Sequence, residues 1–117
     1  MKLNLLVIKT AKIDQLKTQY EQLGFAFKLH QHGKGPLHYA SETNDFVFEI
    51  YPLPSSETEA DATTRLGFEV ESLDELIEGI SATELIIKQK PKATEWGYVA
   101  VVQDLDGRKI ELNEKRN

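Results

Sequence analysis

Two short segments of this sequence recur about sixty positions further along the chain, and this internal repeat limits the possible folds more than any other feature. Ile13–Leu16 (IDQL) is matched by Leu73–Leu76 (LDEL) sixty residues later. Phe48–Ile50 (FEI) is matched by Ile110–Leu112 (IEL) sixty-two residues later. Each match alone is weak, but both occur in the same order and in the same kinds of predicted element. A duplicated unit explains them better than chance does.

The first copy is predicted to contain a strand, a helix and three more strands. The apolar run Leu3–Lys9 is typical of a strand, and apolar residues spaced by three and four positions then predict a helix that ends at Gly24. Strand-like stretches follow at residues 25–31, 37–41 and 45–51. The apolar positions of the helix are Ile13, Leu16, Tyr20 and Leu23.

The second copy has the same order of elements. Residues 65–70 are predicted to form a strand and residues 72–80 a helix, where Ser72 and Glu75 have the spacing of a capping box. Three further strands are predicted, at residues 85–89, 96–103 and 108–112. We therefore predict an α+β fold of two tandem β-α-β-β-β modules, whose curved mixed sheets surround a cavity.

The segment between the two copies has no helical or strand periodicity. It is rich in proline, serine and acidic residues, which is typical of an exposed connection. The length of 117 residues suits one domain. We predict a single domain with module one at residues 1–52, a linker at 53–63 and module two at 64–117.

Alternation along the predicted strands separates a buried face from an open one. In the strand at residues 45–51, the even-numbered apolar residues point under the helix, which leaves Glu49 and Tyr51 on the opposite face. Arg65 lies on the equivalent face of the second copy. A sheet that is covered on one side and polar on the other can curl around a ligand.

Composition excludes several classes of function. The chain has no cysteine, which excludes disulfides, thiolate catalysis and cysteine metal sites. The net charge of −5 disfavours nucleic-acid binding, because the only basic run is the short tail Lys115–Arg116. The N-terminal apolar run is too short and too charged for a signal peptide or a membrane span. We expect a soluble cytoplasmic protein with neither nucleic acid nor membrane as a partner.

The closing stretch WGYVAVVQDLDGRKIEL (96–112) carries a resemblance to a known family. An aromatic-glycine-aromatic strand, an Asp-Pro-Asp-Gly turn and an Ile-Glu-Leu strand are frequent in the glyoxalase, bleomycin-resistance and extradiol-dioxygenase superfamily, also called the vicinal oxygen chelate superfamily. The duplicated unit resembles its fold over essentially the whole chain. Leu105 replaces the usual proline, and Asp104, Asp106 and Gly107 can still form the turn.

The resemblance implies where a metal would lie in the enzymes of that superfamily. There, His and Glu side chains from the first and last strands of each module hold a divalent ion. Glu49 and Glu111 match the last-strand ligands, but the first strands have Leu5 and Arg65 where histidines are expected. Leucine cannot bind a metal and arginine repels one. We therefore expect no metal, with Arg65 in the place of the ion and bonded to Glu49 or Glu111.

Four further residues are candidates for ligand contact. His38 is predicted to face the cavity from its strand, and Tyr51, Trp96 and Tyr98 have the character of an aromatic wall. The other histidines, His30 and His32, lie beside a glycine-rich turn, and no third metal ligand of suitable spacing is visible near them. The predicted binding residues are His38, Glu49, Tyr51, Arg65, Trp96, Tyr98 and Glu111.

The resemblance is strongest to bleomycin-resistance-like members, which bind a ligand as homodimers without metal or catalysis. We therefore expect a homodimer that binds or sequesters a small molecule. One alternative is a divalent-metal-dependent lyase, isomerase, thiol transferase or dioxygenase, in which Glu49 and Glu111 hold the ion together with His38 or water. A second alternative is a sensor or partner subunit with a vestigial cavity.

Overall fold

A computed structural model describes residues 1–43, 45–81 and 84–115. The chain divides into two compact units, Met1–Asp61 and Ala62–Asn117. The first unit contains β1 (Leu5–Thr10), α1 (Ile13–Gln22), β2 (Lys28–His30), β3 (His38–Thr43) and β4 (Phe46–Pro52). The second unit contains β5 (Leu66–Glu69), α2 (Leu73–Ile80), β6 (Ile86–Thr94), β7 (Gly97–Gln103) and β8 (Lys109–Glu114).

Each unit folds as a four-stranded mixed sheet beside one helix, within the residues described. The strand order is β1-β4-β3-β2 in the first unit and β5-β8-β7-β6 in the second. The first and last strands of each unit are parallel neighbours, and the remaining pairs are antiparallel. The two units thus have the same topology, which confirms the predicted α+β fold of paired β-α-β-β-β modules.

The helix covers one face of each sheet, as the alternation predicts. Phe48 and Ile50 are fully buried in the first unit, while Glu49 between them is only partly buried. Phe48 makes edge-on ring contacts with Tyr20 of α1 at 5.0 Å and with Phe25 at 5.1 Å between centroids. In the second unit the fully buried apolar residues include Leu73, Ile80, Ala100, Val102, Ile110 and Leu112.

A third correspondence between the units is visible only in three dimensions. The Tyr39 hydroxyl on β3 donates to Asp14 Oδ1 on α1 at 2.6 Å, and the Tyr98 hydroxyl on β7 donates to Asp74 Oδ1 on α2 at 2.8 Å. The pKa of Tyr39 is raised, first by its hydrogen bond to Asp14 and then by burial and the charges of nearby carboxylates. The phenol therefore stays a neutral donor around pH 7, and the bond ties each helix to its sheet.

Several local predictions are wrong in detail. Ser72 makes no side-chain capping bond among the described residues, so the expected capping box does not form. The Glu114 carboxylate on β8 instead accepts a hydrogen bond from the backbone N–H of Leu73 at 2.8 Å. This long-range cap places a negative charge at the positive end of α2. The strand expected at 25–31 also shrinks to Lys28–His30.

Strand β6 is longer and less regular than predicted, because it continues through Pro91. It lies at the edge of its sheet, where a proline can be accommodated, and its register shifts between Ile87 and Gln89 and again between Gln89 and Lys92. These shifts decide which side chains of β6 reach the open face.

The turn at Asp104–Arg108 forms largely as predicted, without the proline. Asp104 Oδ1 accepts hydrogen bonds from the backbone N–H groups of Asp106 and Arg108 at 2.9 and 3.1 Å, and Gly107 has a φ of +97°. Arg108 Nη1 lies 3.2 Å from Asp104 Oδ2 and 3.0 Å from Asp106 Oδ2, and its side chain is fully buried.

Within the described residues, no helix is long and apolar enough to cross a membrane.

Candidate functional site

The open face of the second sheet holds a pocket of about 460 Å³. Its floor consists of Val99 and Val101 on β7, which pair with Asn113 and Glu111 on β8. A smaller hollow of about 250 Å³ shares Glu111, Asn113 and Trp96 with it. The lining residues of the larger pocket are Arg65, Gln89, Lys92, Thr94, Trp96, Val99, Val101, Glu111 and Asn113.

The bulges in β6 bring two polar side chains to this pocket. Gln89 pairs with Val101 and Lys92 pairs with Val99, although the two β6 residues are three positions apart. In a regular strand an odd spacing would place them on opposite faces. The register shift between Gln89 and Lys92 inserts one extra residue, so both reach the same side.

Arg65 and Glu111 lie close together at the rim of the pocket. Arg65 Nη2 is 3.9 Å from Glu111 Oε1, and the two side chains are 56% and 48% exposed. At this N–O distance the two side chains form an ion pair, but the contact is too long for a hydrogen bond. Since a solvent-exposed ion pair of this kind contributes little stability, the guanidinium can turn its donors to a ligand at low cost.

Trp96 is displayed at the turn between β6 and β7. The side chain is part of the pocket wall yet 76% exposed. Thr94 Oγ1 holds the turn, since it accepts from the Trp96 backbone N–H at 3.1 Å and donates to the Gly97 carbonyl at 2.9 Å. A large aromatic surface is therefore presented to solvent by a fixed backbone, although burying it would be favourable.

Tyr98 does not belong to this pocket, which corrects the expectation that it shares an aromatic wall with Trp96. It pairs with Glu114, on the face that the helix covers, and its hydroxyl is bonded to Asp74. Residues 96 and 98 differ because Trp96 precedes the strand, so strand alternation does not relate them.

In the first unit, the structure brings three of the predicted residues together on the open face of the sheet. His38 Nε2 lies 3.5 Å from Glu49 Oε2, and the His38 ring stacks on Tyr51 with 4.0 Å between centroids and 8° between planes. Burial, and secondarily the charge of Glu49, raise the pKa of Tyr51. His38 is buried, so its contacts with Glu49 and Tyr51 are made inside the protein and not in solvent.

His32 joins this group, contrary to the prediction that no third ligand lies near it. The structure places one ligand atom from each of His32, His38 and Glu49 within 4.8 Å of one another. Sequence spacing could not show this, because His32 lies in a loop and Glu49 comes from a different strand. These three residues are the group in the described chain that could hold a metal ion.

No protein-family model and no curated protein matches the sequence. Solved structures do resemble it over nearly its whole length. TnmS3, described as an antibiotic binding protein from a Streptomyces strain, has a TM-score of 0.77 at 22% identity, covering 99% of this chain and 97% of its own. A glyoxalase/bleomycin resistance protein/dioxygenase family enzyme from Burkholderia phytofirmans has a TM-score of 0.76 at 19% identity, with 99% and 100% covered.

A glyoxylase/bleomycin resistance protein/dioxygenase domain from a Frankia strain has a TM-score of 0.77 at 16% identity, covering 99% of this chain and 98% of its own. The chain has the glyoxalase/bleomycin resistance/dioxygenase fold. The resemblance inferred from the closing stretch is therefore confirmed at the level of the fold.

On the glyoxalase/bleomycin resistance/dioxygenase fold, the register of the parallel strands shows which residues lie beside the two glutamates. Val7 on β1 is the partner of Glu49, and Gly67 on β5 is the partner of Glu111. Neither Val7 nor Gly67 has a side-chain donor atom for a metal, and Leu5, two residues before Val7 on β1, has none either. Gly67 also leaves open space, since a Cβ there would come no closer than 4.0 Å to the Glu111 carbonyl oxygen.

Proposed function

We propose that the protein binds or sequesters a small molecule without chemically changing it, and that the pocket of the second unit contacts this ligand. The observation that carries the proposal is the 76% exposed Trp96 beside an Arg65–Glu111 pair that is too long for a hydrogen bond. The cavity volume of about 460 Å³ lies within the range typical of small-molecule sites.

The lining of the pocket indicates the chemistry of the ligand. Two cations, Arg65 and Lys92, face one carboxylate, Glu111, so the pocket favours a ligand with an acidic or strongly polar group. Trp96 and the valine floor favour a flat apolar body. A planar aromatic compound that carries a carboxylate or phenolate fits both requirements. That TnmS3 is described as an antibiotic binding protein supports a small-molecule ligand.

Binding in this pocket, as we propose it, requires no metal ion. Arg65 supplies the positive charge next to Glu111, and neither Gly67 nor Arg65 offers a lone pair to an ion. His38, Glu49 and Tyr51 remain proposed ligand contacts of the first unit. A metal-dependent enzyme is the second candidate function, favoured by the imidazole–carboxylate contact between His38 and Glu49.

A homodimer is part of the proposal. On the open face of the first sheet, Leu5 is 48% and Val7 38% exposed, which leaves apolar surface for a second copy to cover. We expect sedimentation equilibrium to give twice the chain mass, and the double variant Leu5→Lys, Val7→Lys to sediment as a monomer. A wild-type chain that remains monomeric at high concentration would contradict this expectation.

The ligand proposal is tested by calorimetric titration of planar aromatic antibiotics, paired as carboxylate-bearing and uncharged analogues. Arg65→Gln is expected to weaken binding of the carboxylate-bearing compounds at least about tenfold, through loss of one charge-assisted contact. The uncharged analogues are expected to change much less. Glu78→Gln is the matched control, since it removes an exposed charge from α2 outside the pocket. Equal losses for both classes of compound would contradict the assigned role of Arg65.

A further inference from the structure

The group formed by His32, His38 and Glu49 lies outside the pocket that contains Trp96, although His38 and Glu49 are also proposed ligand contacts. Ala40 on β3 pairs with Glu49 on β4, so His38, two residues before Ala40, lies diagonally from Glu49 on the same face. His32 approaches from the loop that precedes β3, and its ring centroid lies 5.1 Å from that of His38. Three side chains far apart in sequence thus converge at one point of the open face.

The hydrogen bonding of His38 leaves one nitrogen aimed at this point. His38 Nδ1 lies 3.1 Å from the Pro36 carbonyl oxygen, which can only accept, so Nδ1 carries the proton in this contact. In this tautomer, the neutral form of the ring has a lone pair on Nε2. That atom is buried and has no hydrogen-bond partner within the described chain.

An unsatisfied buried nitrogen is costly, and native proteins rarely leave one. In the neutral form it faces a carboxylate oxygen 3.5 Å away, and two acceptors facing each other repel. A cation between them removes both problems, because a metal ion accepts the nitrogen lone pair and neutralises the carboxylate. Metal-binding histidines commonly donate their other N–H to a backbone carbonyl, as His38 does to Pro36.

The surroundings hold the ring of His38 in place. It stacks on Tyr51 at 4.0 Å, and its side chain is 1% exposed, while that of Glu49 is 16% exposed. His32 is exposed. One ligand is therefore fixed in the sheet, and the outer side stays open for an ion to enter and for water to complete its coordination.

We infer that His32, His38 and Glu49 form a binding site for a divalent transition-metal ion, with Zn²⁺ as the reference case. Two imidazoles and one carboxylate suit Zn²⁺, Co²⁺ and Ni²⁺, whereas Mg²⁺ and Ca²⁺ prefer oxygen ligands alone. Metal–nitrogen distances of about 2.1 Å require ligand atoms about 3.4 Å apart in a tetrahedral site. The His38–Glu49 separation of 3.5 Å already meets this requirement. Rotation of the exposed His32 side chain shortens its distance to the other two ligand atoms, which lie within 4.8 Å of it.

The site is independent of the proposed small-molecule pocket, because its residues lie in the first unit and the pocket residues in the second. The metal titration uses no organic ligand, so the two proposals fail separately.

The test is a calorimetric titration of chelator-treated, untagged protein with ZnCl₂ alone, repeated with CoCl₂ and MgCl₂. The expected result is one Zn²⁺ per chain, visible d–d absorption bands with Co²⁺ that indicate a site of low symmetry, and no binding of Mg²⁺. His32→Gln and Glu49→Gln are expected to weaken Zn²⁺ binding at least about tenfold, as loss of a direct ligand should exceed the effect of losing an outer partner.

His30→Gln is the matched control. His30 is the remaining histidine of the three in the chain, and its ring lies 6.0 Å from His38 but outside the converging group. This variant is expected to bind Zn²⁺ as the wild type does. His38→Gln should abolish binding, and circular dichroism of each variant verifies that the fold is retained. Zn²⁺ binding that survives His32→Gln and Glu49→Gln, or that His30→Gln weakens equally, would overturn the inference, as would the absence of Zn²⁺ binding.

Discussion

Arg108→Ala is expected to lower the free energy of unfolding by about 3–5 kcal/mol, the usual cost of breaking a buried ion pair from one side. Arg108 and Asp104 are both fully buried in side chain, and Asp106 is 14% exposed. Without the guanidinium, the buried Asp104 carboxylate loses this ion pair. Urea denaturation followed by circular dichroism measures the loss.

The neighbouring cation provides the control for this prediction. Lys109 is exposed, so Lys109→Ala should change stability by less than about 0.5 kcal/mol. The difference between the two variants should persist in 1 M salt, because buried pairs are screened far less than exposed ones. An Arg108→Ala protein as stable as Lys109→Ala would show that the closing turn does not depend on this network.

Phe48→Ala is the second large effect, and we expect a loss of about 3–5 kcal/mol in the free energy of unfolding. Phe48 is fully buried and its ring contacts Tyr20, Phe25 and Phe27, the last at 5.7 Å between centroids. Truncation removes the ring that these three share and leaves a cavity under α1. The measurement is again the midpoint and slope of urea unfolding.

Two further variants delimit the interpretation of this result. Phe48→Leu should lose clearly less stability than Phe48→Ala, because it keeps most of the buried volume. Leu29→Ala, at a residue that is 54% exposed, should stay within about 0.5 kcal/mol of the wild type. A loss in Leu29→Ala that matched Phe48→Ala would indicate that the core of the first unit is not where the structure places it.

The fold could be predicted from the sequence because its determinants are local and occur twice. The alternation around Phe48 and the helical spacing around Leu16 each mark a face, and both residues are fully buried. The turn at Asp104 depends on residues within four positions, so short-range chemistry determines it. The same holds for Glu49 and Glu111, whose faces follow from strand alternation.

The rest of the candidate site depends on features that no local pattern encodes. A bulge of one residue in β6 places Gln89 and Lys92 on the same face, and nothing in the spacing of these residues indicates it. Asn113 differs: it lies two residues after Glu111 on one strand, so alternation could have identified it. His32 reaches Glu49 only because a loop folds back beside β3, which depends on tertiary structure.

The most direct test of the proposed function uses the fluorescence of Trp96, the only tryptophan in the chain. Its side chain lines the pocket and is 76% exposed, so its emission should resemble that of a solvated indole. Titration with planar aromatic antibiotics that carry a carboxylate is predicted to quench this emission saturably, with the same affinity that calorimetry gives. A compound that binds tightly by calorimetry yet leaves Trp96 emission unchanged would contradict the assignment of this pocket as the ligand site.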